Sequence, residues 1–338
     1  WNRYFNPDLT WEVGEKINLG LDLQLFNDFN LTFDIFREKR RDIFMTRENS
    51  IPEIVGTGET KITSNNGEME NKGLDLAIDY NKQITKDFFL SFKSTLTFAR
   101  NKVLKMDEPP YFEYPGLSDV GHPLGTYWGY VADGLFPDQE TIDNSPRQDL
   151  GYTPQPGDIK YVNQPNAKGE YDNVINSNDR VAIGHPYDPE LVYGFGPSMK
   201  WKNWDFSFFF QGVARTSFMM YGMHPFGTTS IKNMLQFVAD DHWSVDNPNP
   251  NAAYPRLTKD SNGNNDQYST YWLRNAAFLK LKNAEIGYTY KGMRFYLSGV
   301  NLLTFSPFKH WDPEMGGGNG LYYPTQRVFN IGFQMTIQ

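Results

Sequence analysis

The most constraining feature of this sequence is a repeated alternation of apolar and polar residues with a period of two. Apolar side chains occupy every second position in residues 17–25, 74–80 and 329–337, with polar or small side chains between them. Because successive side chains of a β-strand point to opposite faces, each segment is predicted to be a strand with one apolar face. Helical periodicity is nearly absent and offers only a short candidate at residues 231–238. The predicted fold class is all-β.

About nine antiparallel strands are predicted from this pattern. They lie near residues 15–27, 30–44, 71–83, 88–101, 188–202, 204–217, 272–290, 294–304 and 325–338. The connections alternate between tight turns (28–29, 84–87, 202–203 and 291–293) and long segments rich in Gly, Pro and Asn (about 45–70, 102–187, 218–271 and 305–324). Outer-membrane barrels have this asymmetry, since their periplasmic turns are tight and their extracellular loops are long. We therefore expect part of a transmembrane β-barrel with long extracellular loops.

Composition narrows the class of protein. The chain has 338 residues, a formal net charge of −8, 26 Phe, 20 Tyr and 8 Trp, and no cysteine. It is too aromatic for a disordered segment, it has no disulfide or thiolate metal site, and its acidity argues against a nucleic-acid partner. No run of about 18 apolar residues predicts a transmembrane helix, whereas the strands of a barrel would escape that test. The sequence begins with Trp1, and no basic segment followed by an apolar one precedes the first predicted strand, so the export signal is missing or lies upstream. We therefore expect a fragment of a longer protein.

Aromatic residues near the strand ends support the barrel, because rings collect at the two membrane interfaces. The alternative explanation is the general preference of aromatic residues for strands. The rings predicted for the tight-turn interface are Trp201, Trp204, Tyr288, Tyr290, Phe88 and Phe89, and those for the opposite interface are Phe44, Phe98, Phe218, Tyr271, Trp272, Phe305, Tyr322 and Tyr323. The alternation further predicts that Leu21, Leu76, Phe208 and Phe333 point outward and that Asp75, Asp79, Lys93 and Arg215 line the lumen.

Nine strands cannot close an antiparallel barrel, because an odd number would make the first and last strands parallel. Single-chain bacterial outer-membrane barrels have even strand numbers. We therefore expect further strands from the remainder of a longer chain.

Eight motifs, in order along most of the chain, resemble the C-terminal part of SusC-like TonB-dependent outer-membrane transporters of Bacteroidetes. They are NPDLTWE at 6–12, NKGLDLAIDY at 71–80, GHPLGTYWGYVADGLF at 121–136, PGDIKYVN at 156–163, NSNDRVAIGHPYDPELVYGF at 176–195, WLRNAAFLKLKNAEIGY at 272–288, SGVNLLTFSPFKHWDPE at 298–314 and YPTQRVFNIGF at 323–333. The resemblance implies a barrel of 22 strands closed by an N-terminal plug. Residues 1–338 would be the C-terminal barrel portion, without the plug domain and the earlier strands.

The same resemblance implies a location, partners and a cargo. The chain would lie in the cell outer membrane in contact with its lipid, a SusD-like surface lipoprotein would cap the extracellular loops, and TonB would act through the missing plug. The expected function is import of an oligomeric nutrient, an oligosaccharide in preference to a peptide. No cofactor is expected.

The sequence leaves open whether the chain binds a calcium ion. Related transporters often carry an acidic loop shortly after the GDIK motif that looks like a calcium site, but here residues 163–169 read NQPNAKG. Calcium needs several hard oxygen ligands, which Pro165, Ala167 and Lys168 do not supply. A metal site built from Asp158, Asp172 and Asp179 stays an alternative. The last residue, Gln338, departs from the aromatic residue common at barrel C-termini and leaves open whether it is the true terminus.

No motif predicts catalysis, since no nucleophile motif frames a serine and no HExxH is present. We therefore expect a protein that is not an enzyme. Rings in the long loops are the candidate ligand-binding residues, because flat rings stack on sugars or pack against peptide side chains. These candidates are Tyr111, Phe112, Tyr114, Trp128 and Trp243. Packing within the loops is the alternative role, favoured for Trp128.

Two other functions fit parts of the pattern. A passive porin-like or structural barrel would share the strands but would lack the plug and the TonB-contact segment. A soluble β-sandwich that binds or cleaves carbohydrate would share the alternation, but it would have loops of similar length at both ends.

Overall fold

Nine strands form one antiparallel sheet in chain order. The computed structural model describes residues 5–47, 49, 51, 54, 62–222, 226–227, 230–231, 234–258 and 261–335. The strands are β1 (Val13–Leu25), β2 (Phe29–Thr46), β3 (Thr63–Thr85), β4 (Phe88–Lys105), β5 (Leu191–Trp201), β6 (Trp204–Ala214), β7 (Phe278–Tyr290), β8 (Met293–Phe305) and β9 (Val328–Met335). The predicted strand 325–338 runs past Met335 into residues outside the described part. No helix in the described part of the chain is long and apolar enough to cross a membrane.

The four tight turns lie at one end of the sheet, as predicted. They join β1 to β2, β3 to β4, β5 to β6 and β7 to β8. Neighbouring turns are linked by backbone hydrogen bonds of 2.8 Å, from Asn81 N to Asp28 O and from Lys202 N to Asp87 O. The first turn comes slightly earlier than predicted, because Asn27 takes a positive φ of 56° and Phe29 already begins β2. All long connections therefore leave from the opposite end.

The two faces of the sheet differ in chemistry. Leu21 pairs with Phe33, and Phe33 pairs with Leu76. Direct cross-strand partners share a face, and the register carries the same face across β5–β9 to Phe208 and Phe333. Leu21 is 49% and Phe333 54% exposed. A continuous apolar face of this size is not stable in water, so it matches the lipid-facing side of a barrel.

The polar face carries the predicted lumen residues, with one exception. Asp75 pairs with Thr97 and Asp79 with Lys93 on the face opposite Leu76. The expectation that Arg215 lines the lumen is wrong. β6 ends at Ala214, and a φ of 55° at Arg215 turns its side chain over the ring of Phe98 on the apolar face, with 5.9 Å between guanidinium carbon and ring centroid.

The buried core lies in the connections rather than in the sheet. The described residues of segments 106–190, 215–277 and 306–327, called the loop layer from here on, pack together at the end of the sheet opposite the tight turns. Its core contains Tyr130, Leu135, Ile159, Tyr161, Ile175, Ile183, Phe218, Met219, Met220, Val238, Trp243, Tyr254, Trp272 and Phe308.

Short elements organise the loop layer. Its two helices are Gln139–Asp143 and Gln236–Asp240; the second overlaps the predicted helical candidate, of which residues 232–233 lie outside the described part. Its 3-10 turns are Pro115–Leu117, Ser177–Asp179 and Pro313–Met315. Its short strands are Tyr127–Gly129, Ala132–Leu135, Arg147–Gln148, Ile159–Tyr161, Val174–Ile175, Val181–Ile183, Ser217–Met219, Phe226–Gly227, Ser230–Ile231 and Leu273–Asn275. A β-sandwich is excluded, because within the described residues every long strand belongs to one sheet.

Three rings predicted for the membrane interface lie in this core instead. β7 begins at Phe278 rather than near residue 272, and the segment Leu273–Asn275 pairs with Ser217–Met219 outside the main sheet. Phe218 and Trp272 are therefore buried, and Tyr271 packs against the same core. At the tight-turn end the prediction fits better, since Trp204 and Tyr288 lie side by side with ring centroids 4.8 Å apart.

Candidate functional site

A buried carboxylate organises the loop layer. Asp158 is fully buried, and its Oδ1 accepts hydrogen bonds from Arg256 Nε at 2.7 Å and from Asn262 Nδ2 at 3.0 Å. Asn265 Nδ2 also donates to Oδ1 at 2.9 Å, and the Gln155 amide donates to Oδ2 at 2.8 Å. A buried carboxylate is stable only when hydrogen bonds and a cation replace the water that it has lost, and these four donors do so for Asp158.

Buried amides extend this arrangement. Gln148 Nε2 donates to Ile159 O at 3.0 Å and to Asn264 Oδ1, while the amide of Tyr161 donates to Gln148 Oε1 at 2.7 Å. The Tyr161 hydroxyl donates to Asn264 O at 2.8 Å, and burial raises the pKa of this phenol. Residues 98 to 116 positions apart, in the β4–β5 and β6–β7 connections, are therefore held together by polar groups. We call these groups the polar hub: Gln148, Asp158, Arg256, Asn262, Asn264 and Asn265.

Arg256 connects the hub to an open cleft. Burial opposes the charge on Arg256, but hydrogen bonds to Asp158 and to the Tyr152 hydroxyl hold its pKa above the usual range. Arg256 Nη2 donates to Tyr152 Oη at 2.8 Å. Tyr152 belongs to the wall of a cleft of about 890 Å³ in the β4–β5 connection. Other residues of the wall are Phe136, Arg147, Gln148, Asp149 and Gln155.

The cleft is chemically suited to a polar ligand. Arg147 and Asp149 form a surface ion pair of 3.4 Å and present a donor and an acceptor within one wall. Tyr152 adds a ring, and Gln148 and Gln155 join the wall to the hub beneath it. Sequence reasoning missed these residues, because each is a common loop residue and only the fold brings them together. The GDIK motif, which contains Asp158, was the one available signal.

The five predicted ligand-binding residues lie elsewhere in the loop layer. Phe112 is 86% exposed, while Tyr111 and Tyr114 beside it are half-buried. Trp128 donates from Nε1 to Asp119 Oδ1 at 2.7 Å and packs edge-on against His122, an arrangement that fits the packing role. Trp243 is 6% exposed and lies against Gly157. Among the described residues no hydrogen bond, ion pair or ring contact joins Trp243 to the Tyr111–Tyr114 segment, and a role in ligand contact stays a prediction for all five.

The three candidate metal ligands have other partners. Asp158 binds Arg256, Asp172 accepts from the Val174 amide at 3.0 Å, and Asp179 accepts from the amides of Gln164 and Asn176 at 2.7 Å. Burial raises the pKa of Asp179. In the part of the chain that the structure describes, no three His, Cys, Asp or Glu side chains are grouped to hold a metal ion. The expectation of no cofactor stays a prediction.

A second buried charge attaches the β8–β9 connection to the sheet. Lys280 of β7 has no exposed surface, and its Nζ donates to Asp312 at 2.7 Å and to Glu314 at 2.5 Å. Lys282 adds a 3.0 Å contact to Glu314. Burial alone would raise the pKa of both carboxyls, but these hydrogen bonds hold the pKa of each below its usual range.

Comparisons with known proteins give relatives for the whole chain, although no protein-family model matches it. TonB-dependent receptor P26 of Formosa agariphila is 28% identical over 98% of the chain and 35% of its own length. TonB-dependent receptor SusC of Bacteroides thetaiotaomicron is 27% identical over 98% of the chain and 32% of its own length. The chain thus spans about one third of the length of these curated relatives.

Solved structures agree on the fold. The RagAB peptide importer in its open-open state matches with a TM-score of 0.74 at 20% identity, over 99% of this chain and 36% of that chain. The same importer in its closed-closed state matches with a TM-score of 0.71 at 23% identity, over 98% of this chain and 36% of that chain. The barrel fold and the resemblance inferred from the motifs are both confirmed.

Proposed function

Because the chain is similar throughout to SusC-like TonB-dependent receptors of the outer membrane, we propose that residues 1–338 are the C-terminal barrel portion of one. The rest of that protein would supply the plug domain and the earlier strands. The whole protein would import an oligomeric nutrient with energy from TonB, together with a SusD-like surface lipoprotein. It would act as a transporter and not as an enzyme.

The observation that carries this proposal is the division of the chain into a lipid-facing sheet and a folded layer at one end. A passive pore has no need of loops that build their own buried core and polar hub. An importer does, because it must bind its cargo outside the membrane before the plug moves. The loop layer offers the preformed, partly polar cleft that such binding requires.

We propose an oligosaccharide, in preference to a peptide, as the cargo of the cleft. Sugar hydroxyls both donate and accept hydrogen bonds, and the wall presents a guanidinium, a carboxylate and an exposed amide at Arg147, Asp149 and Gln155. The Tyr152 ring adds a flat apolar surface for a sugar face. A peptide import role, as named for RagAB, is the alternative for the same cleft.

The exposed rings of the loop layer suit a surface partner or the cargo. Phe112 is nearly fully exposed at the outer end of the molecule, beside the half-buried Tyr111. Burying such rings under a lipoprotein lid would remove apolar area from water. Phe112 is therefore proposed to contact the SusD-like partner or cargo held beneath it.

Energy dependence tests the proposed transport directly. Uptake of a labelled oligosaccharide is measured in cells that carry the full-length receptor and its lipoprotein, with and without TonB. Loss of uptake without TonB supports an importer. Uptake that persists would contradict the proposal and support the passive pore.

The cleft is tested by the double change Arg147→Ala and Asp149→Ala, which removes one surface ion pair. A matched control is Asp133→Ala with Lys160→Ala, which removes another ion pair of the loop layer, of 2.8 Å, outside the cleft wall. We expect about tenfold weaker oligosaccharide binding in the first variant, corresponding to the loss of one or two charge-assisted hydrogen bonds. Equal affinity in both variants would exclude the cleft as the cargo site.

A further inference from the structure

On three neighbouring strands, the outer face of the sheet changes from apolar to cationic side chains between one cross-strand row and the next. In one row of cross-strand partners on β2, β3 and β4 the side chains are apolar: Ile35, Leu74 and Phe98. In the next row of the same face, toward the loop layer, all three are cations, and we call this the cationic row: Arg37, Lys72 and Arg100. Each of the three side chains is more than half exposed.

Three like charges in register destabilise a sheet unless an anion compensates them. Glu70 lies within 2.6 Å of Arg37 and 2.8 Å of Lys72, so one carboxylate serves two cations. Glu190 in turn is shared between Arg100 at 3.1 Å and Arg215 at 2.6 Å. Within the described part of the chain, these four cations therefore share only these two carboxylates, which leaves a local excess of positive charge.

Lys102 adds to the excess. It lies on β4 one row further toward the loop layer, on the same face and directly across from Glu70, whose carboxylate already binds Arg37 and Lys72. Lys102 itself forms none of the ion pairs found among the described residues. The whole chain is acidic, with a formal net charge of −8, so composition does not explain a local excess of cations. The rest of the sheet does not repeat it, since the outer-face residues at the loop-layer ends of β5–β8 are Leu191, Ala214, Leu279 and Phe305.

We propose that the cationic row binds the phosphate of a lipid headgroup in the outer leaflet of the outer membrane. The apolar rows directly below it would contact the acyl chains of the same lipid, while Arg37 and Arg100 offer planar donors that match phosphate oxygens. Continuity with the lipid-facing surface is the reason for a lipid rather than free phosphate. The proposal rests on the outer-membrane location of the sheet and is independent of cargo and of TonB.

The test uses the full-length receptor, purified in detergent and freed of native lipid. It is titrated with phosphatidic acid or with diacylglycerol of the same acyl chains, and bound lipid is counted by native mass spectrometry. Inorganic phosphate is added in a third series as a competitor. The variant is the triple change Arg37→Gln, Lys72→Gln and Arg100→Gln. A matched triple, Lys160→Gln, Lys168→Gln and Lys309→Gln, removes the same charge from the loop layer.

Wild-type receptor is expected to retain phosphatidic acid in preference to diacylglycerol, and the triple variant to lose about tenfold or more in phosphatidic acid affinity. The matched triple should bind as wild type does, and millimolar phosphate should compete only weakly. If the triple variant does not fold, Lys102→Gln alone serves, since it breaks no ion pair and should still weaken phosphatidic acid binding about two- to fivefold.

Three results would overturn the proposal. Equal retention of the two lipids by wild type would show that only acyl chains bind. An equal loss in both triple variants would show a general effect of charge. Loss of the SusD-like lipoprotein from the purified complex of the cationic-row variant, with lipid retention unchanged, would assign the row to a protein partner. Nutrient uptake is measured in parallel, so that a failed import function is distinguished from a failed lipid site.

Discussion

The nine-strand sheet and the loop layer differ in where their apolar side chains lie. In the sheet, Leu21, Ile331 and Phe333 are exposed on a continuous outer face, whereas in the loop layer Ile159, Tyr161 and Tyr254 are almost completely buried. The sheet can reach its stable state only where lipid covers that face. The loop layer folds by the rules of a water-soluble protein, with a packed apolar core and the hydrogen-bonded polar hub. One chain thus contains two regions whose stability depends on different solvents.

Removing the central buried charge should have the largest effect, and only in the loop layer. Asp158→Asn leaves Arg256 without its anion, and breaking a buried ion pair in this way costs about 3–5 kcal/mol. Limited proteolysis of the full-length receptor should cut the loop layer while the barrel keeps its resistance to SDS. Asp133→Asn, at an exposed ion pair, is the control and should change neither measurement. Simultaneous loss of barrel and loop layer would show that the two regions are not separable.

A charge on the lipid-facing side should affect the sheet instead. Leu76→Arg near the bilayer midplane should cost about 2–4 kcal/mol, because the guanidinium would enter hydrocarbon. Asp75→Asn, one residue away on the polar face, should be mild. The free energy of unfolding is measured by urea titration in lipid vesicles. Equal costs at the two positions would refute the assignment of the faces.

A single methyl group should strain the contact between two loops. Gly157 has a φ of 87°, and a Cβ there would lie 2.2 Å from Trp243 Cε3. Gly157→Ala should therefore cost the loop layer about 1–3 kcal/mol, measured as faster proteolysis at 241–257. Gly151→Ala has a similar φ of 77° and no neighbour within 4 Å, so it separates backbone strain from the clash. Equal effects of both changes would show that packing on Trp243 is unimportant.

Acid should have the smallest effect, at the attachment of the β8–β9 connection. The pKa values of Asp312 and Glu314 are lowered by Lys280, so their contribution is present at neutral pH and is lost as the pH falls through those lowered values. Hydrogen exchange of residues 306–327, corrected for intrinsic rates, should increase below about pH 4, near the ordinary range of carboxyl groups. Glu314→Gln should show a smaller change on acidification. A pH dependence unaffected by that substitution would assign it to other groups.

Sequence alone predicted the sheet well and the loop layer poorly. Alternation in segments such as 74–80 reflects the different environments of the two faces of a strand, so the nine strands, their faces and the side of the tight turns were predicted. The third strand is longer than predicted, since residues 63–70, assigned to a long connection, belong to β3. The polar hub could not be predicted, because Asn262, Asn264 and Asn265 read as ordinary turn residues until the fold places them around Asp158. Phe218 and Trp272 were misplaced for the same reason, since period two does not show where a strand leaves the membrane.

The central expectation is that one face of the sheet contacts lipid while the loop layer lies in water outside the cell. The chain contains no cysteine, so single cysteines can report each environment in a full-length receptor freed of other cysteines. Leu76→Cys and Phe112→Cys are labelled with a membrane-impermeant maleimide in intact cells and again after unfolding in SDS, which shows that each thiol is present. We predict that position 112 reacts in intact cells and that position 76 reacts only after unfolding, because the thiolate that attacks a maleimide does not form in hydrocarbon. Reaction of position 76 in intact cells, or protection of position 112 in cells without the lipoprotein, would contradict this expectation.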